Sequence, residues 1–77
     1  MKYLSEKRAL ELLGKRIHQL REEQDISQNQ LAYEAGIALR QLGRIERGEI
    51  NTSFLVLYKI CKALNVSLSQ LHEFLNE

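Results

Sequence analysis

The chain has 77 residues, 44% of them apolar, which suffices for one domain around a single modest core and leaves little material for a catalytic cleft. Eleven basic residues against ten acidic ones give a net charge of +1, so no broad positive field draws the molecule toward nucleic acid. The balance also holds by region, six basic to five acidic over 1–26, three to three over 27–52 and two to two thereafter, so any positive face must be local.

With no proline and only four glycines, the sequence reads as helices joined by brief polar turns. Ser5 caps a first helix reaching about Gln24, with Leu10, Leu13, Ile17 and Leu20 on one stripe and residues 1–13 as an N-terminal extension. Gly14 lies inside it and is expected to weaken it by about 1 kcal/mol relative to alanine. Asp25-Ile26-Ser27 breaks the pattern, and Ser27 with Gln30 forms a capping box that starts the second helix. Ala32 is small enough for two helices to approach closely, and Gly36 can take the left-handed conformation that ends this helix. Ile37 falls in the turn.

A third helix runs from about Ala38 to Glu46 and stops at Gly48. At about 100° per residue, Ala38, Leu42 and Ile45 share the inward arc, while Arg40, Gly43, Arg44 and Arg47 occupy the opposite one with Leu39 at its border. Arginine clusters on helix surfaces are commonly just solvated, but behind a tight turn three of them on one free face suit phosphates and the acceptor edge of guanine. Gly43 on that face costs the helix about 1 kcal/mol and reads either as tolerated drift or as a residue kept small for close backbone approach to a nucleic-acid partner.

Ser53 caps a fourth helix that is expected to carry Phe54, Leu57, Tyr58, Ile60, Cys61 and Leu64 into the core and to end at Asn65. Cys61 is the only cysteine, which excludes an internal disulfide and a multi-cysteine zinc site and fits the cytoplasm; within this apolar pattern it reads as a buried thiol. Ser67 and Gln70 make another capping box, opening a last helix with Leu68, Leu71, Phe74 and Leu75 inward. Leu55 and Val56 lie off the main stripe of the fourth helix and are read as a homodimer seam, the alternative being that they pack under the N-terminal extension, whose Tyr3 and Leu4 also need cover.

No paired carboxylates, nucleophile and base, or phosphate loop stands out, and His18 and His72 sit beside charged residues, so neither enzyme chemistry nor a metal or cofactor is expected. No apolar run approaches the roughly 18 to 20 residues that span a bilayer. Nor does a signal-like core follow Met1-Lys2-Tyr3. The expectation is one soluble domain over 1–77, with the helix-turn-helix at 28–47.

Leu-Arg-Glu-Glu-Gln before the Ser27 cap, Ser-Gln-x-Gln-Leu-Ala-x-x-Ala-Gly-Ile after it and Arg-Ile-Glu-Arg-Gly closing the third helix resemble the Cro/repressor-type, Xre-like helix-turn-helix regulators of bacteria and phages. The resemblance covers about residues 14–75. It implies an all-α, compact five-helix lambda-repressor-like domain that binds two-fold operator DNA as a dimer, third helix in the major groove. Carried over by position, Ala32, Gly36, Ile37, Leu42 and Ile45 build the motif, and Leu39, Arg40 and Arg44 reach base edges. Gln28, Arg47, Asn51 and Thr52 hold the backbone. The resemblance also pairs Arg21 with Glu46, and the wheel places both at the edges of their apolar stripes, where they form either a half-buried orienting pair or an ordinary surface pair worth under about 1 kcal/mol. Ala38 departs from the family's usual capping serine or threonine, a loss of roughly 0.5 to 2 kcal/mol. The competing expectation is a protein-interaction module, such as an antitoxin that neutralises a partner protein, with DNA binding secondary.

Overall fold

The computed structural model describes residues 4–73, and within them the chain forms five helices: α1 (Glu6–Glu23), α2 (Gln28–Ala35), α3 (Leu39–Glu46), α4 (Phe54–Leu64) and α5 (Leu68–Leu71). Tyr3, Phe74 and Leu75 lie outside the described residues.

Helix starts follow from serine. The hydroxyls of Ser5, Ser27, Ser53 and Ser67 each accept the backbone N–H three residues on, at 3.1 Å, satisfying one of the amides that a helix leaves unpaired. At Ser67 the box is reciprocal, since Gln70 Oε1 accepts the Ser67 N–H at 2.8 Å. At Ser27 only half of the expected box forms, because the Gln30 amide donates instead to Glu34 one turn along α2. Ala38 begins α3 without a side-chain cap.

Helix ends share one device. Asp25, Gly36, Gly48 and Asn65 take left-handed φ values of 55°, 71°, 71° and 57°. The residue after each then returns its N–H to a carbonyl five positions back, as in Ile37 to Ala32 and Glu49 to Arg44. Only glycine takes this conformation at no steric cost, and asparagine and aspartate tolerate it, so the sequence punctuates α1 to α4 at defined residues.

The core gathers Leu13, Ile17 and Leu20 from α1, Leu31, Ala32 and Ala35 from α2, and Leu42 and Ile45 from α3. Ile60, Cys61 and Leu64 of α4 and Leu71 of α5 complete it, with Ile37 and Val56 packed on its margin. Burial pushes the Cys61 thiol up, away from the reactive thiolate. α2 packs on α3 and α4, α1 lies against α3, and α5 touches α4 and α1. The Arg16 guanidinium ties that last contact by donating twice to the Gln70 carbonyl, at 3.0 and 3.1 Å.

Two expectations are corrected here. Phe54 and Tyr58, placed in the core by periodicity, are 68% and 49% exposed, because the face of α4 turned to the core is the one carrying Ile60, Cys61 and Leu64. Gly14 is a requirement of packing: a Cβ there would stand 2.3 Å from the Glu46 carbonyl oxygen and 2.6 Å from that of Ile45. α1 and α3 cross backbone to backbone at this point. Gly48 is crowded from the same side, a Cβ there lying 2.9 Å from Glu11 Cα. Among the described residues no helix is long and apolar enough to cross a membrane.

Candidate nucleic-acid interface

α3 is fixed from behind and open in front. Leu42 and Ile45, 0% and 2% exposed, anchor it to the core. Arg40 is exposed, Leu39 is 44% exposed, and the Arg44 and Arg47 side chains are 44% and 59% exposed. Gln41 is half-buried. The wheel misplaces two small residues. Ala38 is the exposed cap and does not continue the apolar stripe. Gly43 is buried, because the Arg47 guanidinium and the Gln28 amide close over it, at 3.2 and 3.9 Å from the position of an added Cβ. Its backbone is therefore screened, and close approach to DNA does not explain it.

The arginines are held by a neighbouring acid. Arg47 donates to both Glu49 oxygens, at 2.7 and 3.4 Å, and Arg44 Nε lies 3.8 Å from the same carboxylate. Hydrogen bonds from Arg47, then the charges of Arg47 and Arg44, hold the Glu49 carboxyl below its ordinary range despite some desolvation. The pair with Arg47 lies at the surface, its two side chains 59% and 47% exposed, and is easily exchanged. Glu49 thus parks two cations on the open face. Among the described residues Arg40 has no such partner.

Behind α3 a single carboxylate joins three elements. The Glu46 side chain is only 4% exposed and takes Arg21 in a two-pronged contact, Nε to Oε2 at 3.0 Å and Nη2 to Oε1 at 3.1 Å. Gln28 Nε2 donates to Oε1 at 3.1 Å, and His18 Nδ1 lies 3.2 Å from the same oxygen. Burial alone would raise the Glu46 carboxyl, but the bonds from Arg21, Gln28 and His18, with the Arg21 charge, outweigh it and hold the group below its ordinary value. Arg21 Nη1 also donates to the Ile26 carbonyl at 3.0 Å. One guanidinium therefore links the turn after α1 to the last residue of α3, which sets the angle at which α3 projects. His18 Nδ1 faces both Glu46 and Arg21 Nη2, the latter at 2.7 Å, so it serves one of them at a time.

Of the positions carried over for backbone contact, Gln28 opens α2, but its amide group is engaged by Glu46. Asn51 is exposed, its Oδ1 accepting the Thr52 N–H at 2.9 Å. Thr52 is half-buried, and its hydroxyl oxygen is shut away from solvent with no hydrogen-bond partner among the described residues. Val56, read as part of a dimer seam, is half-buried and packs on the core margin; Leu55, 58% exposed, stands with Phe54 and Tyr58 in an open apolar patch.

Residues 17–71 match the helix-turn-helix family HTH_3, a span running from mid-α1 to the end of α5. The chain belongs to the helix-turn-helix family. It is 40% identical over 67 residues to the HTH-type transcriptional regulator SinR of Bacillus licheniformis, across 86% of this chain and 58% of that protein, and so spans little more than half of that relative's length. Among solved structures, the restriction-modification controller protein C.AhdI from Aeromonas hydrophila is similar, with a TM-score of 0.79 and 32% identity over 80% of this chain and 94% of that one. The controller protein C.Esp1396I, solved as a tetramer with its natural 35-base-pair operator, has a TM-score of 0.80 and 29% identity over 88% of this chain and 90% of its own. In this helix-turn-helix chain, sequence reasoning missed His18 and Gln28 as Glu46 partners and Glu49 as the acid beside the arginines. The spacing Glu46-Arg47-Gly48-Glu49 was the available signal for the last.

Proposed function

We propose that this helix-turn-helix protein is a sequence-specific DNA-binding regulator of transcription, acting in the cytoplasm on a two-fold operator as a homodimer with α3 in the major groove. The observation that carries the reading is the open cationic front of α3, Arg40 and Arg44, held against a core anchored by Leu42 and Ile45. In it, Arg40 and Arg44 each take guanine O6 and N7, and Leu39 meets a thymine methyl. Arg47 and Asn51 hold the sugar-phosphate chain, with the first amides of α2 at Gln28 serving the same strand. Thr52 contributes through the placement of its loop. The relatives named as a transcriptional regulator and as an operator-bound controller support the same reading.

The homodimer rests on the apolar patch of Phe54, Leu55 and Tyr58, which monomeric surfaces rarely leave open in one place. That patch equally supports a second reading, an antitoxin-like module covering a partner protein. Selection of bound duplexes from a random pool separates them. The regulator enriches a two-fold site whose half-sites lie about one turn, roughly 34 Å, apart. A module of the second kind enriches none and binds its partner protein with equal strength when Arg40 and Arg44 are replaced.

A further inference from the structure

A cleft of about 400 Å³ opens beside α3, lined by Lys15, His18 and Arg21 of α1, Gln28 of α2, and Glu46 and Arg47 at the end of α3. Its only lining carboxylate, Glu46, is 4% exposed and already shared among Arg21, Gln28 and His18. The cleft therefore keeps an excess of positive charge. Lys15 is exposed and, among the described residues, makes no hydrogen bond or ion pair, while Arg47 is engaged there only by the exposed Glu49.

The geometry points to this cleft as a seat for one phosphate of the DNA backbone, with Lys15 of α1 as a ligand alongside Arg47. The assignment rests on the DNA-binding reading and extends it to a helix outside the helix-turn-helix. Gly14 brings the backbones of α1 and α3 together at Glu46, and the next residue, Lys15, lines the cleft with Glu46 and Arg47 at the end of α3. A duplex lying along the open front of α3 passes its backbone over the Arg47 end, where the cleft opens. An ammonium free of any partner gives up no ion pair on meeting a phosphate, whereas Arg47 must leave Glu49. Lys15 thus contributes attraction without sequence preference.

The test is binding of wild type, Lys15→Gln and Lys15→Arg to a selected duplex and to an unrelated one, over a range of salt concentrations. Lys15→Gln is expected to weaken both duplexes by a similar factor, about three- to tenfold, and to lower the salt slope by about 0.9, the share of one phosphate contact. Lys15→Arg restores the slope. Competition by millimolar inorganic phosphate distinguishes the source: a backbone seat is displaced no better by phosphate than by chloride at matched ionic strength, and selective displacement would overturn it in favour of a free-anion site. An unchanged slope in Lys15→Gln, with Arg44→Ala still losing sequence preference, would overturn the seat and leave the DNA reading standing. Absence of duplex binding by wild type would overturn both.

Discussion

Replacing Glu46 with glutamine keeps the volume of the side chain and removes the charge that joins α1, α2 and α3. In the folded protein the carboxylate accepts two bonds from Arg21 and one from Gln28, on a side chain 4% exposed facing an Arg21 side chain 12% exposed. Breaking a buried pair by removing one partner costs about 3 to 5 kcal/mol, and the retained amide oxygen recovers part of this, so the expected loss is about 2 to 3 kcal/mol. At roughly 4 to 8 °C per kcal/mol for a domain of this size, Tm should fall by about 8 to 24 °C in a thermal melt at neutral pH. The pH dependence adds a second readout. Because Glu46 titrates below its ordinary value in the folded state, its stabilisation is fully present above that ordinary value and is lost as pH falls through the lower folded value. The gap between wild type and Glu46→Gln should close as pH falls below the ordinary carboxylate range. A Tm within about 2 °C of wild type at neutral pH, or a gap that persists below the carboxylate range, would show that the pair does not carry this load.

Other substitutions test separate parts. Gly14→Ala gains helix propensity of about 1 kcal/mol but drives a methyl into carbonyls that cannot yield, so a net loss of about 2 kcal/mol or more is expected in denaturant titration, and stabilisation would refute the tight crossing. Gly43→Ala meets mainly the movable end of Arg47 at 3.2 Å, so the propensity gain should prevail and raise Tm by about 4 to 8 °C; a fall would mean that the Arg47 and Gln28 cover is rigid. Leu55→Asp should leave the fold intact, since the side chain is 58% exposed, and shift the protein from dimer to monomer in light scattering. An unchanged mass would remove Leu55 from the seam.

Much of this fold can be read along the chain because its helix boundaries are chemical. Serine hydroxyls cap four starts, and Asp25, Gly36, Gly48 and Asn65 close four ends, all from local sequence. The front of α3 is legible for a similar reason, since Leu42 and Ile45 define its back. What eludes a wheel is whatever depends on a second helix. Gly14 is a poor helix residue until α3 lies across it, and Gly43 looks outward until Arg47 folds over it. α4 is apolar on nearly every side, so periodicity cannot choose between Phe54 or Tyr58 and Ile60 as the inward residue; the core it packs against decides. The Glu46 cluster was half visible. Arg21 came from the family pattern, but Gln28 and His18 join through a turn and a helix crossing that residue spacing does not encode.

The central claim is that Arg40 and Arg44 on the open front of α3 read bases. The most direct measurement is fluorescence anisotropy of Arg44→Ala against a selected duplex and the same duplex with its half-site guanines replaced. The account predicts that wild type discriminates between the two, and that the substitution removes about 1 to 3 kcal/mol of that discrimination while binding to the altered duplex changes much less. Equal weakening on both duplexes, with discrimination intact, would contradict it.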